Sequence, residues 1–276
     1  MNPLATRLAA LLMAPMLAIS LGLPAHAQDF DTVWEQYRER DYAAAYAGFR
    51  TLSEQGDAEA TFWLGEMYFR GVGDGEGGPA RDQANAYAIW LPAAEGGLAR
   101  AQWRLAWFHR HGQAGFERDH VEAARWLEMA AAQGHGQAMT DLGELLLSGR
   151  AGLQADEDRA YELFSEVAQT NPRVAGFNLG RMYAREGVGP ADDDERAVHW
   201  YRLSAERNYG PALRELGRAY WQGRGVEQDL IEALRLLHMS ESRGGGDATR
   251  TMLSILAEMT PEQRALADEL AESWDD

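Results

Sequence analysis

One alanine-anchored pattern recurs along the chain, and its spacing leaves few folds open. The pattern A-x3-L-G-x2-Y reads Ala60, Leu64, Gly65 and Tyr68 in its first copy. It restarts at Ala101, Ala138, Ala175 and Ala212, with a degenerate start at Ala248, at intervals of 41, 37, 37, 37 and 36 residues; the second copy has Ala106 and His109 for the Gly and Tyr, and the third has Leu146 for the Tyr. A fixed period of this length marks a solenoid, in which each unit buries its apolar face only by stacking on its neighbours. A second half-motif follows each first one: D-x3-A, an aromatic or leucine pair, then small residues and Gly. It begins at Asp82, Asp119, Asp156, Asp193 and Asp229, and an extra copy at Asp41 precedes the first full repeat.

Each half-motif reads as a helix. In the first, the apolar positions stand at the alanine and four, five and eight residues after it, and these share one face at 100° per residue. The glycine at the fifth position removes a side chain where another helix must come close. In the second, the aspartate sits one turn ahead of the apolar stripe, the place of an N-cap. Gly-rich turns such as Gly71-Val72-Gly73 and Gly223-Arg224-Gly225-Val226 separate the two. No stretch alternates with the period of a strand, so the chain reads as all-α.

These residues resemble the Sel-one-like repeat, a relative of the tetratricopeptide repeat. The fullest copy runs from Ala212 to Gly244, and the likeness covers roughly residues 29–258. The resemblance implies a right-handed superhelical solenoid of about seven antiparallel helix pairs. Its expected divisions are a degenerate pair within 28–59, five repeats over 60–247 (60–100, 101–137, 138–174, 175–211 and 212–247) and capping helices in 248–276. Pro92 is expected to kink or shorten its helix. Thr260-Pro261-Glu262-Gln263 reads as a capping box, and Leu266 and Leu270 are expected to cover the last repeat.

Residues 1–27 read as a secretory signal: an n-region with one arginine, an apolar run over 8–23, and Ala25-His26-Ala27 as the cleavage site. The run is short for a membrane span and is interrupted by Pro15 and Gly22. A periplasmic or secreted protein with no retained span is the expectation. Its 276 residues include no cysteine and no lysine. That excludes disulfides, thiolate chemistry, a Walker-A loop and a Schiff base. A formal net charge of −17 argues against nucleic acid as a partner.

Candidate chemistry is weak. Gly73 to Gly78 matches G-x-G-x-x-G but follows no strand and carries Asp74 and Glu76, so it reads as an expanded turn. His109, His111, Glu117, Asp119 and His120 crowd one turn without metal-site spacing. The acidic runs 156–158 and 192–195 lack alternating calcium-ligand spacing and read as caps. No catalytic residue, metal or cofactor is expected.

The face of each first helix opposite its apolar stripe carries residues that anchor interfaces. In tetratricopeptide-like superhelices, which this chain resembles, that face lines the concave surface. The residues singled out are Phe62, Phe69 and Arg70; Arg100, Trp103, Trp107 and Arg110; Phe177, Arg181 and Arg185; and Arg214, Arg218 and Trp221. Arginine and aromatic side chains supply forked carboxylate contacts and large buried area. The resemblance implies an adaptor. The expected partner is a protein or peptide segment, acidic with apolar anchors, held by a monomer. An envelope hydrolase, or an inhibitor of a wall-lytic enzyme, with its site in the inter-helix turns is the alternative.

Overall fold

A computed structural model describes residues 29–113, 115–149, 152–184, 193–271 and 274; the segment read as a signal, Arg185 and Asp192 lie outside them. Among the described residues there are fourteen helices and no strand. An entry pair, α1 (Phe30–Arg38) and α2 (Tyr42–Glu54), precedes five longer pairs. These are α3 (Ala58–Arg70) with α4 (Gln83–Glu95), α5 (Ala99–His111) with α6 (His120–Ala131), and α7 (Gly136–Ser148) with α8 (Glu157–Ala168). Then come α9 (Pro172–Tyr183) with α10 (Asp194–Ala205), and α11 (Gly210–Gln222) with α12 (Leu230–Ser242). The chain closes with α13 (Thr249–Glu258) and α14 (Pro261–Ala271). From α1 to α13 each helix packs chiefly on the helices just before and after it in sequence, the contact order of a solenoid, while α14 folds back on α12.

The local signals explain the boundaries. All six recurring aspartates cap their helices. Asp41, Asp82, Asp156 and Asp193 each accept the backbone N–H three residues on, and Asp119 and Asp229 accept two such groups. Each cap satisfies donors that the helix itself leaves open, worth about 1 kcal/mol. Four of the five first helices end on a glycine in the left-handed conformation: Gly71, Gly112, Gly149 and Gly223. The last helix has the capping box: Thr260 Oγ1 accepts from Gln263 N at 3.2 Å, and Gln263 Oε1 accepts from Thr260 N at 2.9 Å.

The core differs from the sequence expectation chiefly at the seventh and eighth positions after each alanine. The alanine and the leucine four residues on are buried throughout. The position seven residues on is buried as well, as Met67, Phe108, Leu145, Met182 and Ala219. The eighth is half-buried except at Tyr183, and its polar end meets the preceding helix: Tyr68 and Tyr46 hydroxyls lie 2.7 Å apart, and Tyr183 and Tyr161 2.9 Å. Four buried clusters run along the chain and are joined by half-buried rings that touch two at once, notably Trp63, Tyr161, Trp200 and Tyr220.

The expected shortening at Pro92 and the expected cover by Leu266 and Leu270 are corrected. Pro92 does not shorten α4, which runs its full 13 residues; the proline is exposed and lies near the end, where one lost backbone bond is tolerated. Leu266 and Leu270 are 44% and 38% exposed, and Ala267 at 3% faces the core instead. The short α14 packs on α12 and turns its small residue into the cluster of Leu234, Leu237, Ile255 and Met259.

In four of the five repeats the glycine of the first helix meets a large buried side chain of the second; repeat two has Ala106 in its place. A Cβ at Gly143 would stand 2.7 Å from Phe164, at Gly180 2.5 Å from Tyr201, and at Gly217 3.0 Å from Leu237. Tyr201 is itself buried and cannot move aside. Gly180→Leu is therefore expected to cost at least about 1–3 kcal/mol. Thermal unfolding checks this; an unchanged midpoint would contradict the close approach.

Candidate binding groove

The first helices of successive repeats stand next to one another, joined by side-chain bonds. Arg100 of α5 pairs with Glu59 of α3. Arg104 Nε donates to Glu66 Oε1 at 2.5 Å, and Arg70 Nε donates to Glu66 Oε2 at 2.8 Å. Trp103 Nε1 donates to Asp141 Oδ2 of α7 at 2.7 Å. Arg110 reaches both Asp141 and Glu144, each at 2.7 Å. Trp221 Nε1 donates to Glu258 Oε2 of α13 at 3.0 Å.

This ladder assigns most of the residues singled out from sequence. Phe62 is buried against Trp90, with the Arg100 guanidinium 4.6 Å above its ring. Phe69 meets Trp107 edge to face at 5.1 Å. Trp103 lies between Arg104, at 4.5 Å, and His135, at 5.6 Å. Phe177 packs on Tyr201 and Tyr209. Arg70, Arg100 and Arg110 each have a carboxylate partner on the protein itself. Arg214 donates to the Gly245 carbonyl at 2.6 Å and to Glu215, and Arg218 also donates to Glu215. Arg181 differs. It is exposed, lies 5.6 Å from the Phe177 ring, and has no carboxylate in ion-pair range among the described residues.

Sequence reasoning missed the position three residues after each alanine. It holds Trp63, Arg104, Asp141, Asn178 and Glu215, four of which bond to the groove residues above. These residues add two acids and one arginine to the face. The position was legible, because three steps of 100° place it beside the face already identified.

Burial sets the electrostatics. Glu66 is 1% exposed, and a carboxylate there is tolerable only because two guanidinium groups hold it. Burial pulls the Arg104 guanidinium below its usual pKa, with Glu66 opposing. Burial pushes Asp141 up, with Trp103 and Arg110 opposing. Three clefts of about 650, 310 and 560 Å³ open along α5, α7 and α9, and Glu144 lines all three. The turns offer less. His109 is tucked against Tyr87 and Phe116, its Nε2 3.2 Å from the Tyr87 hydroxyl. Among the described residues, no group of three or more His, Asp or Glu is placed to hold a metal ion.

An all-α solenoid of stacked helix pairs, with a polar and aromatic groove along its first helices, is the class of protein these features define. The Sel1 repeat family model matches five consecutive stretches, residues 58–98, 99–135, 136–169, 174–209 and 210–245. The chain belongs to the Sel1 repeat family. Its matched repeats open one or two residues before the anchoring alanines. The crystal structure of a Sel1 repeat protein from Oxalobacter formigenes is similar, with 28% identity over 87% of this chain and 95% of that one and a TM-score of 0.74. A protective antigen present in uropathogenic Escherichia coli strains, displaying an SLR fold, shares the architecture at 22% identity and a TM-score of 0.59, over 88% of this chain and 59% of that one. Comparison with curated proteins gave no match.

His135 at the groove edge gives a test of the geometry. It caps α7, its Nδ1 accepting from Ala138 N at 3.2 Å, which requires the neutral ring. Burial, aided by nearby Arg100 and Arg104, lowers its pKa below the ordinary 6.5. The folded state thus binds fewer protons than the unfolded one. The cap's contribution is complete above about pH 6.5 and is lost as pH falls below it. His135→Asn keeps a capping oxygen and removes the titration. Its melting temperature is expected to fall less than wild type's between about pH 7.5 and pH 5; equal slopes would contradict the assignment.

Proposed function

We propose that this chain is an exported scaffold that holds an extended protein segment along its first helices. The segment is acidic and carries apolar anchors. The observation that carries this reading is the run of clefts along α5, α7 and α9, where Trp103, Trp107, Arg110, Asn178 and Arg181 come together. Membership of the Sel1 repeat family supports it, since such proteins generally act as protein-interaction scaffolds. So does charge. A chain of net charge −17 repels an acidic segment over most of its surface, which leaves an arginine-bearing groove as the favourable place. Arginine and tryptophan are also the residue types that anchor interfaces most strongly.

Export rests on residues 1–27, whose n-region, apolar run and cleavage pattern fit a secretory signal. No helix among the described residues is long and apolar enough to cross a membrane. We further infer that the mature chain acts as a monomer and that its role is non-catalytic. The polar residues of the turns have structural duties: Asp82, Asp119, Asp156, Asp193 and Asp229 cap helices, and His109 packs against rings.

A peptide array tests the reading. The labelled chain, freed of residues 1–27, is applied to random peptides at low salt. Retained peptides are expected to be enriched in Asp and Glu next to Leu, Phe or Tyr. Retention is expected to fall as salt rises, because partly exposed ion pairs are screened. The double variant Arg181→Ala/Arg218→Ala is expected to lose most of it. Retention without acidic enrichment, or equal retention by the variant, would contradict the proposal.

A further inference from the structure

The three clefts meet at one carboxylate. Glu144, from α7, accepts from Arg110 Nη2 of α5 at 2.7 Å, and its other oxygen lies 3.5 Å from Asn178 Nδ2 of α9. Three successive repeats therefore converge on one side chain. The two contacts are unequal to those of its neighbour. Asp141 is held by both Trp103 and Arg110 at 2.7 Å. Glu144 shares that guanidinium as a second carboxylate, and its side chain is 34% exposed. Asn178 is 2% exposed, so water does not readily serve its amide, yet its bond to Glu144 is at the long limit for a hydrogen bond. One turn further along α9 stands Arg181, lining the same cleft as Arg110, Asn178 and Glu144. It has no carboxylate partner among the described residues.

The arrangement is that of an anion site occupied from within. A buried amide donor, a guanidinium and a second guanidinium with no carboxylate partner among the described residues face a cleft, and the protein's own acid fills it loosely. We propose that Glu144 holds the place that a partner's carboxylate takes. An Asp or Glu side chain of an extended segment docks between Arg110, Asn178 and Arg181, and Glu144 swings out into the open cleft. Binding is then an exchange of one carboxylate for another. Arg110 stays neutralised until a partner arrives, and acids without an adjoining apolar anchor gain too little to displace Glu144. The inference rests on the groove reading above and adds to it the competing residue and the point of contact.

The experiment uses the full mature chain and a fluorescein-labelled peptide of alternating Glu and Leu. A peptide of about ten residues extends to roughly 30 Å, enough to cross three neighbouring helices. Its counterpart carries Gln for Glu. Affinities come from fluorescence anisotropy at low salt. Glu144→Gln is expected to bind the acidic peptide about threefold tighter than wild type, and Arg181→Gln about tenfold weaker. The Gln peptide is expected to show neither change. Both positions are at least partly exposed, and melting curves of the two variants verify their folds. If Arg181→Gln weakens binding but Glu144→Gln leaves it unchanged or weaker, the exchange is overturned while the groove reading stands. If no protein binds the acidic peptide, both fail. Displacement of the peptide by an equal concentration of inorganic phosphate would assign the site to a small anion and overturn the proposal.

Discussion

Everything in this molecule follows from how closely the two helices of one repeat approach each other. At Gly65, Gly143, Gly180 and Gly217 the first helix presents bare backbone, and the second helix lays Trp90, Phe164, Tyr201 or Leu237 on it. Interiors are packed too tightly to take even one more methylene there without displacement. That contact sets how closely these four pairs approach, Ala106 takes the same place in repeat two, and each next pair stacks in the same way. Because the pairs repeat, residues one period apart on successive first helices arrive opposite each other. The groove is a consequence of core packing, and its side chains need no separate scaffold.

The electrostatics of the groove are those of a surface that the fold has largely neutralised. Arg100, Arg104 and Arg110 reach across to acids of the neighbouring repeats. The Glu66 cluster is buried and is costly to break, since removing either partner leaves a charge out of water. The pairs at Arg214 and Arg218 are more exposed and contribute little to stability. Between α9 and α11 the ladder changes character, with Arg173 over the Tyr209 ring and Phe177 against the same ring. The groove is thus closed by ion pairs over its first three repeats and more open toward the fourth, where Arg181 stands.

Helix number, caps and turns were legible because each depends on residues close together in sequence. An aspartate before an apolar stripe and a glycine after it state their roles locally. The groove was legible only in part. Its face could be drawn from helical angles, but whether an arginine on it is free depends on residues 31 to 41 positions away. Those separations cluster around the repeat period, so the pairings of Trp103 with Asp141 and of Arg104 with Glu66 could have been sought one repeat along. The misplacement of Leu266 has another cause. The last helix has no following repeat, so periodicity no longer determines which side faces inward, and the small Ala267 wins the close contact.

The central claim is that the first-helix face, and not the turns or the second helices, receives a partner. Hydrogen–deuterium exchange of the chain with and without a saturating acidic, leucine-bearing peptide tests it most directly. The account predicts slowed exchange concentrated in α5, α7 and α9, with α6 and α8 unchanged. Protection confined to the turns, or spread over the second helices, would contradict it.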